Sequence, residues 1–225
     1  MMHPDGSAGA DRARRGRFLV LEGIDGAGKS THLAFIQALL AQKGYSAILT
    51  REPGGSPFAE EIRTLVLHQD IDALSELLSV FAARRDHLLK TVWPALERGH
   101  WVISDRYVDS SWAYQGAGRG LAAETISALE RWVEEGGSGP DCVFFFDLPA
   151  QIAQARRSER ALKNVDTLAK NEDRFEREGE AFFERVREGY RQAFNRRGEK
   201  GVWIDSQSPI ELIQKELEES IVSLC

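Results

Sequence analysis

FLVLEGIDGAGKST, residues Phe18 to Thr31, decides the fold. Phe18-Leu19-Val20-Leu21 reads as a buried strand, and Gly23, Gly28, Lys29 and Ser30 satisfy the pattern G-x-x-x-x-G-K-[ST]. Residues 31–42 then read as a helix, with Leu33, Ile36, Leu39 and Leu40 at helical spacing. Strand, loop and helix in that order make a phosphate cradle. Glycines let backbone N–H groups close around phosphate oxygens, Lys29 brings charge to the β/γ-phosphates, and the Ser30 hydroxyl is a candidate Mg²⁺ ligand. The N-terminus of the helix faces the anion.

At 225 residues the chain is long enough for one sizeable core and short for two, so a single α/β domain over residues 17–225 is expected. A net charge of −6 argues against a general nucleic-acid binder, so any bound phosphate must be met by locally placed cations. The two cysteines, Cys142 and Cys225, form neither a metal nor a redox spacing, and a reducing, cytoplasmic setting follows. No apolar run approaches the ~18 residues that a membrane span needs. Residues 1–16 carry Asp11, Arg12, Arg14 and Arg15 without a hydrophobic stretch, which excludes a secretory signal and predicts a disordered leader, with a transit peptide as the second reading.

Working outward, residues 46–50 read as a second strand and Arg51-Glu52-Pro53-Gly54-Gly55-Ser56-Pro57 as a loop. Helical patterns cover 58–68, 74–97 and 121–135. Trp101-Val102-Ile103-Ser104, Cys142 to Phe146 and Val202-Trp203-Ile204 are short apolar runs, each ending at an aspartate. Strands alternating with helices imply a central parallel sheet with helices on both faces, and ligands of such sheets bind outside the carboxyl ends of the strands. The loops after Leu21 and Thr50, together with Asp105, converge there.

The stretch Asp105-Arg106-Tyr107-Val108-Asp109-Ser110-Ser111-Trp112-Ala113-Tyr114-Gln115-Gly116 narrows the chemistry. An aspartate ending a buried strand can hold Mg²⁺ directly or through water, and an arginine beside it can span two phosphates. A plain surface ion pair is the alternative for these two residues alone.

Four blocks, Glu22 to Thr31, Thr50-Arg51-Glu52-Pro53-Gly54-Gly55, Asp105-Arg106-Tyr107 through Tyr114-Gln115-Gly116, and Asp173-Arg174-Phe175-Glu176, resemble thymidylate kinases in that order. The resemblance spans roughly residues 17–221. It implies a three-layer P-loop NTPase fold with a helical lid over about 150–176, and Mg²⁺-dependent transfer of the γ-phosphoryl group of ATP to dTMP by a homodimer whose contact includes the helix of residues 74–97. By the same resemblance, Gly23, Ile24, Asp25, Gly26, Ala27, Gly28, Lys29, Ser30 and Thr31 bind ATP, and Ser30 and Asp105 hold the metal. Lys29, Arg106, Asp25, Arg156 and Arg160 are the implied catalytic groups.

The implied dTMP-binding set is Asp25, Arg51, Phe81, Arg85, Arg106, Ser111, Tyr114 and Gln115. Phe81 would stack on the base with Arg85 one turn later; a register one residue earlier offers Val80 and Arg84, and a core Phe81 beside a solvated Arg85 is the plainer alternative. Tyr114 would leave no room for a ribose hydroxyl. Tyr190 either walls the base pocket or is a core tyrosine. With Ala27 in the phosphate loop, the lid is expected to supply a cation from Arg156, Arg157 or Arg160, which otherwise form a solvated basic face. The rival functions are a P-loop kinase for another acceptor, a nucleotide-dependent switch, and a non-enzymatic nucleotide binder.

Overall fold

The structure, a computed structural model, describes residues 15–163 and 174–225. Among these residues five strands, β1 (Phe18–Glu22), β2 (Ala47–Arg51), β3 (Trp101–Asp105), β4 (Cys142–Asp147) and β5 (Gly201–Asp205), form one parallel sheet in the order β2-β3-β1-β4-β5. Side chains alternate across a strand, yet every residue of β1 and the first five of β4 are buried. Both faces are therefore covered at the centre of the sheet, as unbroken apolar runs require, while the edge strands β2 and β5 are only partly buried. β1 lies between β3 and β4, so the chain reverses its direction of winding at β1. The crevice at that reversal is where the loops after β1 and β3 meet.

α1 (Lys29–Gln42) buries Ile36, Leu39 and Leu40, and His32 stacks on Phe146 of β4. α2 (Pro57–His68) starts behind Ser56, whose hydroxyl accepts from the Ala59 amide, and α3 (Ala73–His87) behind Asp72, which accepts from the amides of Leu74 and Ser75. The helix expected over 74–97 is interrupted. Residues Leu88–Val92 take π-helical bonding before α4 (Trp93–Glu97), because Pro94 has no N–H to continue the ladder and its ring crowds the preceding turn.

After β3 come α5 (Val108–Ser111), a second π-helical stretch (Trp112–Gly118) and α6 (Ala123–Glu134). α7 (Ala150–Lys163) begins where the lid is expected, and the chain is described again from Arg174 into α8 (Glu180–Arg197). α8 lies close on the second π stretch: a Cβ at Gly189 would stand 2.8 Å from the Ala113 Cα. α9 (Ile210–Val222) closes the fold beside α1. Residues 1–14 of the expected leader and residues 164–173 of the expected lid lie outside the described residues. Arg15 and Gly16 do not share the leader's expected freedom: Gly16 N–H donates to the Leu96 carbonyl at 2.9 Å and Arg15 to the Ser138 hydroxyl at 2.9 Å.

Candidate active site

The loop after β1 passes hard against its neighbours. Gly23 and Gly26 have φ of +139° and +94°, and a Cβ on them would lie 2.4 Å from the Phe146 carbonyl oxygen and 2.7 Å from that of Ala153. Lys29 is only 5% exposed and folds back to donate to the carbonyls of Gly23 (2.9 Å) and Ile24 (3.4 Å). Burial and the nearby Arg106 pull its ammonium below the usual lysine range, against the attraction of Asp105 and Asp25. An incoming phosphate is a stronger partner than two neutral carbonyls. Ser30 and Thr31 stand exposed in the first turn of α1.

Asp105, at the carboxyl end of β3, has one buried carboxylate oxygen with no hydrogen-bond partner among the described residues; Lys29 Nζ is 3.8 Å from it. A buried acceptor left open at the mouth of a phosphate loop suits a hydrated divalent cation. Among the described residues no three His, Cys, Asp or Glu side chains cluster as a cage, so such an ion would draw its other ligands from Ser30, water and phosphate.

Arg106 gathers the two sides of the crevice. Its backbone is left-handed, with φ +76°, and is fixed from both ends: its N–H donates to Leu21 carbonyl at 2.9 Å, and Ser104 Oγ donates to its carbonyl at 2.7 Å. Its guanidinium donates to Asp25 (2.7 Å) on the phosphate loop, and to the hydroxyls of Tyr190 (2.6 Å), Ser110 (3.2 Å) and Tyr114 (3.2 Å). Burial would lower its pKa, but Asp25 and its neighbours raise it well above the usual range. Surrounding protein would lift the Asp25 carboxyl; Arg106 and then Lys29 outweigh that and hold it well below the usual carboxylate range. Tyr114 is buried, edge-on to Phe175, Phe182 and Tyr190, so Tyr190 belongs to the site through its hydroxyl and to the core through its ring.

On α3 the structure corrects the register. Arg85 turns away, stacking over Trp93 and donating to the carbonyls of Val133 (2.7 Å) and Glu135 (2.8 Å). Arg84 is the buried arginine, 1% exposed, packed over the rings of Phe81 and Tyr107. It donates to Glu52 (2.6 Å), the Ser111 hydroxyl (3.1 Å) and the Tyr107 carbonyl (3.1 Å). Phe81 and Arg84, three apart, thus share the face toward Ser111, and the pairing of Phe81 with Arg85 does not exist. Glu52 also accepts from His87 Nδ1 at 3.0 Å, and His87 Nε2 meets the Thr50 hydroxyl at 2.7 Å. Burial would raise the Glu52 carboxyl; Arg84 and His87 bring it below its usual value.

Two other expected residues already hold protein partners. Arg51, half exposed at the end of β2, pairs with Glu60 at 2.8 Å, and Glu60 also accepts the Gly55 amide. Gln115 is buried and donates to Glu76. In the lid helix, Arg156 donates to the carbonyls of Ser206 (3.2 Å) and Gly26 (3.5 Å), beside the loop after β5. Arg157 donates to the Asp25 carbonyl at 2.8 Å and lies over the Phe183 ring. Of the two lid arginines whose side chains are described, Arg157 and not Arg156 reaches the residue that pairs with Arg106, whereas the sequence points to Arg156 and Arg160. The Arg160 side chain lies outside the described residues.

Glu22 belongs to the site although no motif role in the sequence singles it out. Buried at the end of β1, it accepts from the Tyr107 amide (2.7 Å), the Ser110 amide (3.1 Å) and the Ser110 hydroxyl (2.6 Å). It thereby holds the turn that follows Arg106. A carboxylate in an otherwise apolar strand was the available signal.

Known proteins share this sequence and fold. The sequence model described as Thymidylate kinase matches residues 21–217. Proteins named thymidylate kinase from Paraburkholderia xenovorans (strain LB400) and Alkalilimnicola ehrlichii (strain ATCC BAA-1101 / DSM 17681 / MLHE-1) are 47% and 46% identical; each match covers 93% of this chain, and 99% and 94% of those proteins. The crystal structure of thymidylate kinase from Ehrlichia chaffeensis superposes with a TM-score of 0.71 at 30% identity, over 92% of this chain and 98% of that one. The family match thus takes in the phosphate loop, the Arg106 hub and the α3 face, and the chain belongs to the thymidylate kinase family.

Proposed function

We propose that the protein transfers the γ-phosphoryl group of ATP to dTMP, giving ADP and dTDP on the way to dTTP. The observation that carries this reading is the reach of Arg106, which spans from Asp25 on the phosphate loop to Tyr114 and Tyr190 on the opposite wall. Phosphoryl transfer asks a protein to align two anions and neutralise the charge between them. Lys29, released from the Gly23 and Ile24 carbonyls, meets the donor phosphates, and Arg106 bridges donor and acceptor. α7 holds Arg157 over the Asp25 turn, where it adds positive charge beside the phosphate loop and helps to exclude water. Asp105 and Ser30 would hold Mg²⁺, which when bound neutralises phosphate charge.

On the acceptor side we assign the base to the face made by Phe81, Arg84, Ser111 and Gln115, the sugar to Tyr114 and Asp25, and the acceptor phosphate to Arg51 and Arg106. The Tyr114 ring, wedged against Phe175 and Tyr190, favours deoxyribose by leaving no space at C2′. The working form is a homodimer through α2 and α3, which expose Phe58, Leu65, Leu74 and Leu78. The setting is cytoplasmic: Cys142 and Cys225 are free thiols, as a reducing compartment keeps them.

The test is a coupled ADP-release assay with ATP and Mg²⁺, offering dTMP, dUMP, UMP, CMP, AMP and thymidine. Release that follows dTMP above the others supports the reading. Release that follows another acceptor overturns the acceptor pocket, and acceptor-independent release overturns the kinase. Light scattering at the assay concentration tests the dimer.

A further inference from the structure

Gln115 is 4% exposed, and its amide nitrogen donates to Glu76 Oε1 at 2.5 Å. Glu76 is itself fully buried in the first turn of α3. Its other oxygen takes the guanidinium of Arg174, with Arg119 Nε 3.5 Å away. An amide can ordinarily turn over and exchange donor for acceptor. A carboxylate in an ion pair has acceptors only, so here the NH₂ group must face Glu76 and the carbonyl oxygen must face away. Among the described residues nothing donates to that oxygen.

The location gives this constraint a use. α3 and residues 108–118 run alongside each other in opposite directions, joined by two rungs, Glu76 with Gln115 and Arg84 with Ser111. Phe81 lies between the rungs along α3 and carries Arg84 over its ring. One rung therefore presents a guanidinium donor and the other an amide acceptor. A pyrimidine-2,4-dione edge carries a carbonyl acceptor at C4 next to an N3–H donor. Cytosine carries the reverse, an amino donor next to a bare ring nitrogen.

We propose that Glu76 is a positioning residue that sets base specificity: by holding the Gln115 amide in one orientation it presents an acceptor oxygen, selecting thymine or uracil and rejecting cytosine. The proposal rests on the dTMP kinase reading and deepens it. Burying Glu76 is costly and Arg174 offsets that cost. A neutral side chain could fill the same space, but only an acceptor-only group denies the amide its second orientation. Arg174 also donates to the Ile71 carbonyl and packs over Phe175, the ring edge-on to Tyr114, so the clamp is braced where the chain returns from α7.

The experiment compares kcat/KM for dTMP, dUMP and dCMP in the full-length enzyme and in Glu76→Gln. The neutral amide can donate or accept, so Gln115 regains both orientations. The expected result is a fall of at least ~10-fold in the dTMP to dCMP ratio, with the dTMP to dUMP ratio and the KM for ATP retained. A structural role alone would lower all three acceptors together. If Glu76→Gln does not fold, the double variant Glu76→Gln with Arg174→Met removes both buried charges and is read the same way. A dTMP to dCMP ratio within about twofold of the parent, in a folded variant, overturns the role of Glu76 alone. A parent enzyme without dTMP-dependent turnover overturns the kinase reading and this proposal with it.

Discussion

The Arg106 guanidinium stands 2.7 Å from the Asp25 carboxylate, and this one ion pair joins the loop after β1 to the turn after β3. Asp25 is half exposed, so the pair's contribution to stability is small. Its consequence is positional. The guanidinium that reaches Tyr114 and Tyr190 is aimed at the phosphate loop by protein contacts, so part of the ordering that the transition state needs is built in.

Arg106→Ala is accordingly expected to cost at least ~10²-fold in kcat. The backbone gives a second readout. A side chain at φ +76° carries a strain of about 1 kcal/mol that glycine avoids. Arg106→Gly should therefore be as inactive as Arg106→Ala yet more stable by about 1 kcal/mol in denaturant unfolding. A rate within about threefold of the parent would remove Arg106 from the chemistry.

The sheet was legible because three of its strands are short, mostly apolar runs ending at Asp105, Asp147 and Asp205, and the phosphate loop because glycine and lysine at fixed spacing admit few other uses. The acceptor wall was legible only in part. A helix periodicity places Phe81 with either Arg84 or Arg85, and the choice is made by Glu52, which arrives from 32 residues earlier in the chain. The same holds for Glu76 and Gln115, 39 residues apart, and for Glu22, whose donors come from the turn after β3. Long-range polar pairs leave no period in a sequence. The π-helical break in the long helix was signalled by Pro94, but a proline announces that bonding changes without saying how.

The corrected register can be tested directly. Arg85→Ala should leave the KM for dTMP within about threefold while lowering stability by about 1–2 kcal/mol, since it unties α3 from the Val133 and Glu135 carbonyls. Arg84→Lys cannot reproduce the fork held by Glu52, Ser111 and Tyr107, and should raise the KM for dTMP at least ~10-fold with the KM for ATP unchanged. The opposite pattern would restore Arg85 to the pocket.

The lid arginines should separate in the same way. Arg157, on the Asp25 carbonyl, is expected to act on kcat, and Arg157→Ala to lower it ~10–100-fold. Arg156 clips the Ser206 and Gly26 carbonyls beside the phosphate loop, so Arg156→Ala should act mainly on the KM for ATP. Steady-state kinetics with each substrate varied distinguishes the two, and equal effects on kcat would deny Arg157 its separate part.

Glu22 supplies a pH dependence with a definite sign. Burial, and then the neighbouring Asp109, push its carboxyl up to about 7 from the usual 4.5, against Arg106 and the donors Ser110 and Tyr107. The folded protein thus keeps a proton that the unfolded chain has already released. Between pH 4.5 and 7 the unfolded state binds fewer protons, so this group's stabilisation is complete below about 4.5 and is lost as pH rises toward 7. The loss amounts to about 3 kcal/mol at most. Glu22→Gln cannot titrate, and its amide oxygen can still accept from the Tyr107 and Ser110 amides. Relative to that variant, the parent should lose stability from pH 5 to pH 8 in denaturant unfolding. Parallel profiles would mean that Glu22 is ionised throughout, with its three donors outweighing burial. Either way Ser110 and Tyr107 keep an acceptor, so Glu22→Gln should retain the Arg106 geometry and most of its activity, whereas Glu22→Ala, which strands two buried amides, should lose both.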